Sequence, residues 1–129
     1  LWPAMHKVWM AAAGFAMASN LAMAAQPPVR HTLSGAEINK AFVGKVTTDG
    51  HHWTYHLKPD GSIDGVEMGR PRKGRWAIHD NRLCLSVPLG APEQCVAIVR
   101  EGKGLIFRDN GMDITDVRVE PYRSRQQLQ

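Results

Sequence analysis

The sequence predicts a mainly β protein: an antiparallel meander of seven or eight strands that forms a small barrel or half-barrel, with one short N-terminal helix. From Lys45 onward, apolar side chains alternate with polar ones at a period of two, which is typical of strands. Turn signals recur every eight to twelve residues, and connections this short make neighbouring strands antiparallel. Because a meander of this size must cover its edges, we expect it to curl into a barrel.

The first 25 residues predict a secretory signal peptide. A basic start at Lys7 is followed by an apolar stretch, Val8 to Met23, and by the small residues Ala24 and Ala25. The alternative is a membrane anchor, but the strongly apolar part of this stretch is shorter than the ~20 residues that a span needs. We therefore expect a cleaved leader over 1–25, no membrane span after cleavage, and a protein that is periplasmic or secreted.

The mature chain would run over residues 26–129, 104 residues, which is enough for one core and too few for two. We divide it into a linker over 26–32, a single β-rich domain over 33–120 and a polar tail over 121–129, which we expect to fray. Removal of Lys7 lowers the formal net charge from +4 to +3. This mild basicity suits an anionic lipid or polysaccharide and is no signature of nucleic-acid binding. We expect a monomer.

The segment after the linker predicts the helix. Ser34 is an N-cap, and Glu37, three residues later, completes a capping box. Ile38 and Phe42 fall on one face at helical spacing, and Gly44 ends the element as a C-cap residue would. So short a helix is not stable alone, so we expect it to plug an open end of the barrel or to lie across one face.

The predicted strands share an alternating or continuous apolar pattern. In chain order they contain Trp53 to Leu57, Ile63 to Met68, Arg75 to Ile78, Leu83 to Val87, Cys95 to Val99, Leu105 to Phe107 and Met112 to Val119. Turn residues separate them at Pro59 to Gly61, at a basic turn over 69–74, at Asp80–Asn81, over 88–93, over 101–104 and at Asn110–Gly111, where Asn-Gly favours a type I′ hairpin. Gly65 interrupts its strand and indicates a bulge.

Cys84 and Cys95 predict a disulfide. Ten residues separate them, and the strand, loop and strand between them form one hairpin that places the two cysteines opposite each other. An exported chain meets an oxidising compartment, and closing so short a loop would stabilise the fold by roughly 2–3 kcal/mol. The alternative is a redox pair, but that chemistry usually needs Cys-x-x-Cys at a helix start, which the sequence lacks.

The histidines His51, His52, His56 and His79 raise the question of a metal site. His52 and His56 share a strand face, but four strand residues span ~13 Å, too far for one ion. His51 and His52 point to opposite faces. A site would need His79 or a carboxylate brought in by the fold, so the sequence predicts a polar outer face, no metal and no cofactor.

Three aromatic residues are candidates for ligand contact: Trp53, Tyr55 and Trp76. Small barrels often hold one apolar ligand, but the same residues also suit a barrel core. The mature chain has too few large apolar residues both to fill a wide barrel and to wall a roomy pocket. We therefore expect a narrow, mostly filled barrel whose working surface lies outside it.

A basic run supplies that candidate surface. Its cationic side chains are Arg70, Arg72, Lys73 and Arg75. On a hairpin tip they would bind phosphate or sulfate groups of an envelope glycolipid, or they would be solvated without a partner.

The sequence predicts no catalytic residue. It lacks Gly-x-Ser-x-Gly, His-Glu-x-x-His and phosphate-loop patterns. Asp60, Asp64 and Glu67 lie near turns, but the sequence places no partner beside them.

A family resemblance rests on the order of several short motifs. They are Leu33 to Ile38, Trp53 to Tyr55, Pro59 to Gly61, Gly74 to Ile78, Leu83-Cys84 and Cys95 to Arg100. Together they resemble a group of small exported proteins of unknown function that is typical of proteobacteria. The resemblance covers about residues 33–111. It implies an exported β-rich domain with two cysteines, and it implies no activity.

Three functions are consistent with this sequence. The first is a non-enzymatic binding or interaction module that holds a small apolar or amphipathic ligand or contacts an envelope component. The second is a small disulfide-bonded inhibitor of a host or rival enzyme, although a basic target such as lysozyme would repel a +3 chain. The third is an enzyme whose site carries no recognised motif.

Export is directly testable. Because the leader pattern ends at Ala25, mass spectrometry of the secreted form should find a new N-terminus at Ala25 or Gln26. An intact mass that retains Trp9 would contradict cleavage.

Overall fold

The structure, a computed structural model, describes residues 3, 11–17 and 26–129. The predicted leader over 1–25 lies largely outside the described residues, so export and cleavage stay predictions. Within the described residues, no helix is long and apolar enough to cross a membrane. The described chain contains nine strands, one α-helix and one 3-10 helix.

The elements follow one another with short connections. In chain order they are β1 (Arg30–Thr32), α1 (Gly35–Phe42), β2 (Lys45–Thr48), β3 (Trp53–Leu57), β4 (Ser62–Glu67), β5 (Arg70–His79), β6 (Arg82–Ser86), β7 (Gln94–Glu101), β8 (Gly104–Asp109), β9 (Met112–Pro121) and the 3-10 helix (Arg125–Leu128).

Eight of the strands form a closed antiparallel barrel. Strands β2 to β9 each pair with the next one, and β2 also pairs with β9, for example Thr47 with Val119. The predicted small barrel with one short helix is therefore confirmed. The additional strand, β1, comes from the predicted linker, lies outside the barrel and pairs with the end of β7. Arg30 secures it through ion pairs with Glu101 and Asp113.

Helix α1 inserts its apolar face into one end of the barrel. The predicted capping box is present, since Ser34 accepts the backbone N–H of Glu37 and the Glu37 carboxylate accepts that of Ser34. Ile38 and Phe42 are fully buried and belong to the barrel core. The Phe42 ring lies 6.3 Å from that of Phe107 on β8. Because Ile38 and Phe42 gain an apolar environment only there, the barrel stabilises a helix too short to persist alone.

The basic segment 69–74 is not the predicted turn. The chain reverses at Met68 and Gly69, which both have positive φ (49° and 78°), as the two central residues of a type I′ turn do. Residues from Arg70 onward then belong to β5 and pair with β4. The predicted tight turns at 80–81 and 110–111 are confirmed by positive φ at all four residues.

Gly65 is not a bulge. It lies in continuous register between Tyr55 on β3 and Arg72 on β5. A Cβ atom at this position would lie 2.6 Å from Cδ1 of Tyr55, closer than real Cβ contacts allow. The glycine therefore lets the Tyr55 ring rest against the backbone of β4. The register irregularity in this barrel falls instead between Phe107 and Arg108.

The tail over 121–129 is more ordered than expected. Its 3-10 helix packs against β3 and β4, and the Tyr122 ring stacks on His56 with centroids 4.0 Å apart. Val46, His56 and Val66 are buried although they face away from the barrel interior. Val46 and Val66 are apolar, so the tail is stabilised on the sheet by covering them. The polar composition of the tail does not reveal this contact.

Phe42→Ala tests whether α1 closes the barrel. Because Phe42 is fully buried, truncation leaves a core cavity and should lower the free energy of unfolding by about 3–5 kcal/mol. Asn39→Ala, at an exposed position of the same helix, is the matched control, and urea unfolding measures both. A loss below about 1 kcal/mol for Phe42→Ala would place its ring at the surface.

Candidate functional site

The barrel is open at the end opposite α1. A cavity of about 310 Å³ lies at this mouth, between β3, β6, β8, β9 and the loop after β6. Its walls are mainly apolar side chains, which include Trp53, Tyr55, Leu85, Val87, Phe107 and Ile114. The expectation of a mostly filled barrel thus describes the α1 end, whereas a ligand-sized space remains at the mouth.

An aromatic stack forms one wall of this mouth cavity. The Trp53 ring lies between those of Tyr55 and Phe107, with centroids at 4.7 Å and 5.7 Å and an interplanar angle of 19° in both pairs. Trp53 and Tyr55 share a face because they are two residues apart in β3. The fold adds Phe107 from β8, a contribution that no local pattern along the chain predicts. The stacked rings supply a large apolar area to the cavity wall.

Tyr55 also connects the stack to a polar group. Its hydroxyl donates to Glu67, and Nε of Arg72 donates to the other oxygen of that carboxylate at 3.3 Å. Burial, followed by the Glu67 contact, raises the pKa of Tyr55 well above its ordinary value. The phenol therefore stays protonated at physiological pH, and Glu67 accepts its one hydroxyl hydrogen.

Trp76 does not take part in the mouth cavity. It is half-buried against the core, and its indole Nε1 donates to the carbonyl of Lys58 at 2.7 Å. Lys58 follows β3 at the barrel end that α1 occupies. Of the three predicted aromatic contacts, the fold therefore gathers Trp53 and Tyr55 at the mouth and uses Trp76 in the core.

The basic run does not form one surface, because a strand alternates its side chains. In the β4–β5 ladder, Arg70 lies opposite Glu67 and Arg72 lies opposite Gly65. These positions are on the same face of the sheet as Tyr55. Lys73 and Arg75 occupy the outer face. There Lys73 and Lys58 both form ion pairs with Asp64, so part of the predicted cationic charge is compensated.

The described histidines are dispersed over the outer surface. His56 stacks on Tyr122, while His79 Nε2 lies 3.6 Å from a Glu93 carboxylate oxygen. That pair lies near Cys84, but the predicted bond between Cys84 and Cys95 is present, so neither sulfur is a thiolate ligand.

One histidine has the orientation that a general base would need. Asp49 Oδ2 contacts His52 Nδ1 at 2.8 Å, and Asp49 Oδ1 accepts the backbone N–H groups of His51, His52 and Trp53. Burial opposes ionisation of Asp49, but the three backbone donors hold its pKa well below its usual range. Among the described residues, no hydroxyl or thiol is hydrogen-bonded to His52, so the pair shapes a turn and lacks a nucleophile.

Comparison with known proteins adds no relative: no family model, curated protein or solved structure matches the chain. The resemblance to small exported proteobacterial proteins remains a prediction.

The Asp64 ion pairs predict a pH-dependent contribution to stability. Hydrogen bonds from Lys58 and Lys73 lower the pKa of Asp64 from 3.8 to about 2. A carboxylate with a depressed folded-state pKa stabilises the fold above its unfolded-state value, and that contribution is lost as the pH falls from 3.8 to about 2. Asp64→Asn should therefore lower the free energy of unfolding by about 1 kcal/mol at neutral pH, given the partial solvent screening.

Urea unfolding at several pH values measures this effect, with Asp116→Asn as the exposed control outside any described ion pair. The deficit of Asp64→Asn should shrink below pH 3.8 and be smallest near pH 2. A deficit that is unchanged at pH 2 would mean that the charge of Asp64 is not its cause.

Proposed function

We propose that this protein is an exported, non-enzymatic binding module that holds a small ligand with a flat apolar body in the mouth of its barrel. The observation that carries the proposal is the cavity of about 310 Å³ walled by Trp53, Tyr55 and Phe107. Planar rings stack favourably on aromatic side chains, and the apolar walls reward removal of such a ring from water.

The size of the cavity limits the ligand. Ligand sites usually enclose about 300–1,000 Å³, and the mouth cavity lies at the lower end of that range. It suits a compact molecule of one or two rings better than a long acyl chain.

The disulfide supports the predicted compartment. Disulfides persist in oxidising environments outside the cytosol, and Cys84 is bonded to Cys95. Together with the predicted leader, this favours a periplasmic or secreted protein that meets its ligand in the envelope or beyond it.

A protein partner is the second candidate. Met68, Leu89, Met112 and Ile114 are exposed on the turns and strand that surround the mouth. Exposed large apolar side chains that cluster in this way are typical of contact surfaces. An inhibitor would use this rim, whereas a catalytic role has less support because no hydroxyl or thiol of residues 26–129 is hydrogen-bonded to His52.

Trp53→Ala tests the proposed site. The probe is N-phenylnaphthylamine, which is neutral, planar and more fluorescent in apolar surroundings. We expect saturable binding to the full chain, and a weakening of about tenfold or more in Trp53→Ala, because a large apolar part of the cavity wall is lost. Titration of probe emission measures the dissociation constant.

Trp76→Phe is the matched control, since Trp76 lies outside the mouth cavity and should leave probe affinity nearly unchanged. Circular dichroism confirms that each variant stays folded. Equal weakening by the two substitutions, or the absence of saturable binding to the unmodified protein, would overturn the proposal. Binding of a protein at the rim that Met112→Ser abolishes would favour the second candidate.

A further inference from the structure

A wide groove runs beside α1, at the barrel end away from the mouth. Its volume is about 850 Å³, well above that of the mouth cavity. The helix contacts β2, β5 and β6, and the groove lies between the helix and strands β7 to β9. We call it the α1 groove and define it by the four cationic residues and four apolar residues described next.

The floor of the α1 groove is apolar. It consists of Ala41 from the helix, Leu105 from β8, and Val117 and Val119 from β9. Leu105 and Val117 are paired across two strands and are 9% and 5% exposed, so they are continuous with the barrel core. An apolar chain laid on this floor would therefore extend an existing hydrophobic surface.

The rim of the α1 groove is cationic. Lys40 comes from the last turn of α1, Lys45 begins β2, Arg100 ends the apolar run of β7 and Lys103 lies in the β7–β8 turn. The fold brings these four side chains together although the first, Lys40, and the last, Lys103, are 63 residues apart in the sequence. Unlike the basic run on β5, they surround one concave surface.

These four cations also lack compensation. Within the described part of the chain none of them forms an ion pair, whereas Arg30, Lys58, Arg72 and Lys73 do. The groove lining also includes Arg118 and the carboxylates of Glu37 and Glu120, so five cationic side chains face two anionic ones. Clustered uncompensated charge above an apolar floor attracts an anion that carries a hydrocarbon part.

We propose that the α1 groove binds an anionic amphiphile with a single hydrocarbon chain, of the class of a monoacyl lipid with a phosphate headgroup. The chain lies along Ala41, Leu105 and Val117, and the headgroup lies among Lys40, Arg100 and Lys103. Arg100 suits a phosphate because its guanidinium can donate two parallel hydrogen bonds to one anion. The α1 groove is separate from the mouth cavity. Its proposed ligand is anionic, whereas the ligand proposed for the mouth is flat and apolar.

Calorimetric titration of the full chain with decyl phosphate, below its micelle-forming concentration, tests this site. We expect 1:1 binding that weakens as sodium chloride is raised, because salt screens exposed charges. Lys40→Glu combined with Lys103→Glu should weaken binding by at least about tenfold, since two attractive charges become repulsive. Decyl maltoside, which has the same chain and no charge, should bind much more weakly, and so should inorganic phosphate.

The matched control is Arg75→Glu combined with Arg125→Glu, which changes the net charge equally and lies outside the α1 groove. It should change decyl phosphate affinity by less than about twofold at moderate salt. Lys40→Gln with Lys103→Gln replaces the reversed pair if that variant does not fold by circular dichroism, and should still weaken binding.

The proposal would be overturned if the groove variant and the control variant weakened decyl phosphate binding equally, or if decyl phosphate did not bind at all. It would also be overturned if decyl maltoside or inorganic phosphate bound as tightly as decyl phosphate. Titration of Trp53→Ala separates the two sites. Loss of decyl phosphate binding in that variant would assign the amphiphile to the mouth and not to the α1 groove. Intact binding would support the groove, and this result does not depend on whether the mouth binds a ligand.

Discussion

The pairing of β2 with β9 is the contact on which the rest of the structure depends. It joins the first barrel strand to the last, for example Val46 to Glu120 and Thr47 to Val119. Once the ladder is closed, every strand has one face inside and one outside, and a shift by a single residue would exchange the two. The interior then has to be filled by α1 at one end, and the exterior at β2 to β4 has to be covered by the tail.

The sequence predicted the features that local signals determine. Ser34 and Glu37 are three residues apart, so their capping box is visible without any tertiary contact. The alternation in β3 placed Trp53 and Tyr55 on one face, and the hairpin between Cys84 and Cys95 placed the sulfurs together. A barrel or half-barrel followed from the number of short strands, because curling a meander covers its edges, and the β2–β9 pairing shows the closed form.

The remaining features depend on register and on contacts between distant segments. The basic run was assigned to a turn because Met68–Gly69 is not a common turn pair, and one strand then divided its charges between two faces. The role of Phe107 beside Trp53 required knowing that β8 lies across the barrel from β3. The cations of the α1 groove come from four separate elements, so no spacing along the chain indicates them.

Gly65 has a consequence for how the mouth can change. The ring of Tyr55 occupies the space that a side chain at 65 would take, so the position of the ring depends on a neighbour that contributes no atom to the cavity wall. A methyl group added there would meet both the Tyr55 ring and, at 2.7 Å, the backbone carbonyl oxygen of Thr54, so the ring and the β3 backbone would both have to shift. The shape of the mouth could therefore change during evolution, or be redesigned in the laboratory, through a residue that does not line the cavity.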